Sequence, residues 1–191
     1  GVDIKISNRN SEEIDLFVDW MYENFRNDIY GENDITIETK IVKSFIKHGK
    51  KIAIAESCTG GLLGDRITNV AGSSEVLKGG VIVYSNESKV KILGIEEETL
   101  NQFGAVSKDT AKQMAENVKT MFNSSFGLSV TGIAGPSGGT KEKPVGLVYI
   151  GLASDKRTIV EKFNFGKNRE INKIKTSQTA LNILREGLFN E

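Results

Sequence analysis

Apolar side chains fall at helical spacing near both ends of the chain and in short dense runs between them. Ile14, Phe17, Val18, Met21 and Phe25 recur every three or four residues behind Asn10 and Glu13, which stand at capping-box-like spacing, and predict a helix. Residues 28–34 are polar and turn-rich. A second helix is predicted over 35–48, with Ile37, Ile41, Val42, Phe45 and Ile46 apolar and Gly49 as its C-terminal cap. The period then changes. Residues 51–55 form a short, partly β-branched run that reads as a buried strand, followed by the glycine loop 56–61 and a helix over 62–70. Strand, glycine loop and helix in that order are the repeating unit of an α/β fold.

The same punctuation continues. A strand is predicted over 80–84, a short helix over 86–93 ending at Gly94, and a further helical turn or two over 97–103. Ser107 caps an amphipathic helix with Ala111, Met114, Ala115, Val118 and Phe122 on one face. A strand over 126–130 leads into the glycine loop 131–140. Segments 145–153 and 158–165 read as a hairpin, with Glu161 exposed at an edge or paired. A helix over 169–189 closes the chain. The expected architecture is a three-layer α/β/α sandwich with a mixed sheet, spanning 41–191, preceded by a short helical lead-in over 1–40. Gly1 stands where an initiator Met would, so the lead-in is expected to be the tail of a preceding region of a longer protein.

Composition narrows the function. Lys and Arg total 25, as do Asp and Glu, and this zero balance argues against a nucleic-acid groove or an anionic membrane surface as partner. No apolar run approaches the roughly 20 residues that span a bilayer, and no signal-peptide pattern opens the chain. A single Cys excludes an internal disulfide and fits a reducing, cytoplasmic setting. With one His and one Cys, a zinc site has too few of its usual ligands, so no metal and no cofactor is expected.

Three glycine-bearing loops, 56–61, 79–80 and 131–139, each follow an apolar run, and strand-end loops are where open α/β sheets hold ligands. Ser57 lies just ahead of a helix, as a nucleophile or, like Thr59, as no more than that helix's N-cap. Tyr84 and Lys89 follow the second run, as ordinary surface groups or as a phenol and an amine for proton transfer. The third loop holds four Gly and one Pro in nine residues, too much chain freedom for a mere connector. His48 sits at a predicted helix C-terminus, where it complements the dipole, so a Ser-His-Asp triad is not expected. Cys58 is a small buried filler or, with Glu56 and Lys89, a nitrilase-like nucleophile. Ser57 remains, with a lysine or a tyrosine as base. A lysine base must be neutral, so burial or a nearby cation must lower its pKa.

The ordered segments Ala55-Glu56-Ser57-Cys58-Thr59-Gly60-Gly61, Ala71-Gly72-Ser73-Ser74, Tyr84-Ser85-Asn86, Gly104-Ala105-Val106-Ser107, Thr131-Gly132-Ile133-Ala134-Gly135-Pro136 and Lys143-Pro144-Val145-Gly146 closely resemble the C-terminal domain of the CinA (competence/damage-inducible) family, the nicotinamide-nucleotide amidases. The resemblance runs from about Ile52 to Leu184. It implies hydrolysis of the carboxamide of nicotinamide mononucleotide to nicotinate mononucleotide and ammonia, in pyridine nucleotide salvage. The nucleophile would correspond to Ser57, with Tyr84 and Lys89 completing the site. Thr59, Gly60 and Gly61 would stand near the reacting centre, and Thr131, Gly132, Ala134 and Gly135 around the ribose and phosphate. The family's late Gly-Asp-Arg motif with a further Arg four residues on reads Gly166-Lys167-Asn168-Arg169 here, with Lys173 at the later position; Arg169 would meet the phosphate. Ile29-Tyr30-Gly31-Glu32 is similar to the segment that precedes this domain in full-length members, which carry a molybdopterin-binding-like N-terminal domain. A homo-oligomer, a dimer, is also expected. A catalytically silent nucleotide-binding or interaction module is the alternative.

Overall fold

In the computed structural model, which describes residues 4–26 and 28–189, two helices lead into a five-stranded sheet. Helix α1 spans Ser11–Phe25. Asn10 caps it by accepting from Glu12 N, at 3.1 Å. Glu13 takes the side-chain amide of Asn8 instead, so the expected capping-box spacing does not give reciprocal bonds. No residue of α1 is buried; Phe17, Trp20 and Phe25 contact one another at the surface, with ring centroids 5.6 and 5.7 Å apart. Helix α2, Ile37–Lys47, starts two residues later than predicted because the Thr36 hydroxyl accepts from Thr39 N. Its Ile37, Ile41, Val42 and Phe45 are buried in the core.

The strands are β1 (Ile52–Glu56), β2 (Leu77–Ile82), β3 (Phe126–Gly132), β4 (Leu147–Ala153) and β5 (Thr158–Asn164), in the order β2-β1-β3-β4-β5. β1 runs parallel to β2 and β3, whereas β3–β4 and β4–β5 are antiparallel, giving the expected mixed sheet. The other helices are α3 (Leu62–Thr68), α4 (Asn86–Lys91), α5 (Glu97–Phe103), α6 (Lys108–Met121) and α7 (Arg169–Phe189). Among the described residues, no helix is long and apolar enough to cross a membrane.

Strand alternation sorts the core into two layers. Ile52 and Ile54 of β1, with Phe126, Leu128 and Val130 of β3, meet α2, α3 and α7 on one face. Phe45 packs edge-on against Phe126 there, at 5.4 Å between centroids, so truncating Phe45 to Ala should cost about 3–5 kcal/mol. Ala53 and Ala55 face the other way, toward Met114 and Val118 of α6 and Leu100 of α5. Small residues on this face let α6 lie directly on the strands. A Cβ on Gly127 would sit 2.0 Å from the Ala115 carbonyl oxygen, and the Ser129 hydroxyl donates to the Ala111 carbonyl at 2.6 Å.

Two strands start elsewhere than the pattern predicts. β2 begins at Leu77, three residues before the expected 80, and contains Gly79 and Gly80 rather than following them. Both glycines permit close approach: a Cβ would lie 2.2 Å from the Phe122 ring at Gly79 and 2.4 Å from Ile54 at Gly80. β4 starts at Leu147, not 145, because Gly146 adopts φ +91° and turns the chain before the ladder begins. β5 is the far edge, and Glu161 is exposed on it, as expected.

Candidate functional site

The carboxyl ends of β1 and β3 open into a cavity of about 180 Å³, the usual place for a ligand in an open α/β sheet. Ser57 is the first residue beyond β1. Its N–H donates to the Val130 carbonyl at 3.1 Å, and its own carbonyl accepts from Gly60 N at 3.2 Å, closing a turn that needs Gly60 and Gly61 at φ +62° and +97°. Ser57 is not the N-cap of α3. Gly61 occupies that position, and the buried Glu56 carboxylate accepts from Gly61 N, Leu63 N and Gly64 N at 3.0, 3.1 and 2.9 Å. The helix start that a glycine loop leaves open to an anion is therefore taken by the chain's own carboxylate.

Lys89 reaches the same cavity from α4. Ser85 and Ser88 form a reciprocal capping box at 3.0 and 3.1 Å, which fixes this short helix with Lys89 pointing inward. Its side chain is 1% exposed. Nζ lies 3.1 Å from Ser57 Oγ, 2.8 Å from the Val83 carbonyl and 3.4 Å from the Tyr84 carbonyl. No carboxylate among the described residues pairs with it. Burial disfavours the ammonium and holds the Lys89 pKa below that of an ordinary lysine; the neighbouring Cys58 opposes the shift.

Tyr84 enters this cluster through its backbone. Its phenol is turned to the rim and accepts from Arg169 Nη2 at 3.0 Å, while Arg169 Nη1 donates to the Gly135 carbonyl at 2.9 Å. Tyr84 is 60% exposed. Arg169, opening α7, thus links the β2–α4 connection to the third glycine loop. Lys173, one turn on, brings Nζ to 3.9 Å from where a Cβ on Gly60 would stand.

The wall also includes Cys58, Ala105, Val106, Thr131, Gly132 and Ala134, but not Thr59, Gly60, Gly61 or Gly135. Burial pushes the Cys58 thiol up to about 12, so it stays protonated near neutrality. The Thr131 hydroxyl donates to the Ala105 carbonyl at 2.7 Å and pins that part of the wall. Thr59 is wholly buried, and its hydroxyl has no hydrogen-bond partner among the described residues. His48 stands apart at the end of α2, its Nδ1 2.8 Å from the Ser44 carbonyl oxygen. Among the described residues, no group of three or more His, Cys, Asp or Glu side chains is placed to hold a metal ion. A larger open groove of about 290 Å³ between α4 and α5 holds Glu87, already paired with Lys91, and no nucleophile.

Two contributors are absent from the sequence reading. One is the seating of α3 on Glu56. The other is Asn172, buried in the first turns of α7, whose side-chain amide donates to the Ala134 and Gly166 carbonyls, both at 2.9 Å, and clips the third glycine loop in place. Glu56 left a trace, since a carboxylate shortly before a helix start is a capping signal. Asn172 left none.

Comparison with known proteins agrees with this architecture. Residues 34–188 match the family model described as the CinA C-terminal domain. A CinA-like protein of Endomicrobium trichonymphae is 46% identical over 196 residues, covering 98% of this chain and 45% of that protein. A CinA-like protein of Kosmotoga olearia is 48% identical, covering 84% of this chain and 39% of that protein. The chain therefore spans less than half the length of these relatives. The crystal structure of the competence/damage inducible protein CihA from Agrobacterium tumefaciens superposes with a TM-score of 0.78 at 39% identity, covering 80% of this chain and 93% of that one. This chain belongs to the CinA family, whose C-terminal domain it matches.

Proposed function

We propose that the chain is an amidohydrolase that deamidates nicotinamide mononucleotide through Ser57, with Lys89 as its base. The observation that carries this reading is the 3.1 Å approach of Lys89 Nζ to Ser57 Oγ inside a site that lowers the lysine pKa. A neutral amine has two N–H donors and one lone pair. The Val83 and Tyr84 carbonyls are there for the donors, leaving the lone pair for the Ser57 hydroxyl proton. The other nucleophile at hand, Cys58, has its thiol pushed the wrong way for attack.

In this mechanism Lys89 takes the Ser57 proton as Oγ bonds to the carboxamide carbon. The resulting ammonium returns that proton to the leaving nitrogen, and ammonia departs as the C–N bond breaks. Neutral Lys89 then takes a proton from water as its oxygen attacks the acyl ester. The acyl–Oγ bond then breaks, the Lys89 ammonium returns its proton to Ser57 Oγ, and the acid leaves as the carboxylate with its proton passed to solvent. With Tyr84's phenol engaged by Arg169, its share is to accept at its carbonyl and to shape the rim.

A cavity of about 180 Å³ suits the pyridine carboxamide end rather than a whole mononucleotide, since pockets that enclose drug-sized ligands run from about 300 Å³ upward. Ribose and phosphate would lie outward, along Thr131, Gly132 and Ala134 toward Arg169, the phosphate meeting guanidinium donors. Thr59, Gly60, Gly61 and Gly135 would act from behind the wall by shaping the two loops. The test is direct: purified protein with nicotinamide mononucleotide should release ammonia and nicotinate mononucleotide in equal amounts. Tight binding of the mononucleotide without turnover would instead make the domain a nucleotide-binding module.

A further inference from the structure

Ser57 is held from three sides, and the third side has no role in the chemistry above. Its N–H is bonded to β3, its carbonyl to Gly60, and the residue before it, Glu56, reaches past the loop to the start of α3. The Glu56 side chain is 1% exposed, and its partners among the described residues are the three N–H groups of Gly61, Leu63 and Gly64. Both oxygens are used, one by Gly64 and the other by Gly61 and Leu63. Charge-assisted bonds to a helix start are among the stronger ones a protein makes. Here they span the whole turn that carries Ser57.

We infer that Glu56 is the positioning residue for Ser57: by drawing the N-terminus of α3 onto the end of β1 it fixes the Ser57 hydroxyl against Lys89. The inference rests on the reading of Ser57 as nucleophile, and it deepens that reading. Glu56 touches no reacting atom, and it lies outside the cavity wall. Its effect is geometric. The loop between has glycines at both left-handed positions, so it has little stiffness of its own to keep Oγ in place. A displacement on the order of 1 Å at a nucleophile costs about 100-fold in rate.

Two variants separate placement from simple stability. Glu56→Gln keeps the length but puts an amide N–H₂ against one or more of the donors it replaces. Glu56→Asp keeps the charge but is one methylene short of reaching all three. Each is assayed for kcat and KM on the mononucleotide, for its unfolding midpoint, and for the rate at which a small fluorophosphonate labels Ser57 in the folded protein. The label needs no amide substrate, so it reports on Glu56 even if the mononucleotide is not turned over. We expect kcat to fall about 10- to 100-fold in both variants, with the labelling rate falling in parallel. KM and the pH midpoint, which follow the rim and Lys89, should stay near the parent values. A lower unfolding midpoint with unchanged kcat and labelling would reduce Glu56 to an ordinary helix cap and overturn the inference. Full recovery in Glu56→Asp would overturn it too, because charge and not reach would then be what matters. If the parent protein labels at Ser57 without releasing ammonia, the functional reading fails while the labelling comparison still decides Glu56.

Discussion

The floor and the rim of the cavity are built on opposite terms. On the floor, Ser57 and Lys89 are 7% and 1% exposed, and each is fixed by hydrogen bonds to main-chain groups of neighbouring elements. At the rim, Tyr84 and Arg169 are exposed, and they hold one another across 85 residues of sequence through one side-chain hydrogen bond. An exposed pair of this kind contributes little stability and is readily exchanged for a ligand. Buried, preorganised groups suit the reacting bond, and adjustable groups suit recognition. The two regions should therefore answer mutation differently: floor changes in kcat, rim changes in KM and substrate choice.

The largest effect should come from Ser57→Ala. Among the described residues Ser57 is the hydroxyl hydrogen-bonded to Lys89, whose other partners are carbonyls, so deamidation should drop by about three orders of magnitude or more, with mononucleotide binding kept. Rate and binding assays on the same preparation read both. A variant retaining a tenth of the activity would move the chemistry off Ser57.

Lys89 comes next, and it carries a pH signature. Its pKa in the folded chain lies below the ordinary lysine value of 10.5, with burial as the main cause. Activity through a neutral amine should therefore rise with pH and level off below 10.5, the ordinary value. Lys89→Arg cannot lose its proton in that range and should be nearly inactive. The linkage runs the same way. Between the lowered folded pKa and 10.5, the unfolded chain binds more protons at this group, so its contribution to stability grows as pH rises. Unfolding midpoints of the parent and Lys89→Met across that window should diverge in the parent's favour with rising pH. Parallel curves would mean that Lys89 is not desolvated as the floor requires.

How far the sequence carried this picture depends on the range of each interaction. Strand–loop–helix order, the Ser107 cap and the face of α6 were legible because they are set within a few residues; Ser107 indeed accepts from Thr110 N. The start of β2 was not, because Gly79 and Gly80 owe their place in the strand to Phe122 and Ile54, distant in sequence. Residue types offered Ser57 with a lysine or a tyrosine as base, and the family resemblance joined Tyr84 and Lys89 to it. Their separation into floor and rim depends on which way Tyr84 turns, and the partner its phenol meets there, Arg169, is 85 residues away in sequence. Glu56 stood out in sequence as an acid shortly before a helix start and a candidate partner of Cys58, but its three bonds to the Gly61, Leu63 and Gly64 N–H groups exist only once the backbone of α3 is folded onto it.

Rim changes should be smaller and selective. Arg169→Ala removes the guanidinium beside the Gly135 carbonyl and frees the Tyr84 phenol. If the phosphate of the mononucleotide is read there, KM should rise about 10- to 100-fold, the worth of one or two charge-assisted hydrogen bonds, with kcat much less changed. Nicotinamide, which lacks ribose and phosphate, should be a poor substrate for the parent and no poorer for the variant. Equal losses on both compounds would make Arg169 a clip for the third glycine loop and leave the phosphate to Lys173 or to the Thr131–Gly135 backbone.

The smallest effect belongs to Cys58, and it tests the floor from the side that chemistry does not use. Its thiol lines the cavity beside the nucleophile, is 5% exposed, and is pushed up to about 12 by burial. At pH 8 only about one thiol in ten thousand would then be thiolate, the form that attacks an alkylating reagent. Iodoacetamide should therefore label the folded chain far more slowly than the unfolded one. Cys58→Ala removes only a sulfur from the wall and should leave kcat within about threefold of the parent, at a modest stability cost of about 1 kcal/mol for the small void. Raising the pH should speed both deamidation and alkylation, but over different ranges: the first follows Lys89 below 10.5, the second the thiol near 12. Coincident profiles, together with loss of activity on alkylation and in Cys58→Ala, would make the thiol the nucleophile and Ser57 its neighbour.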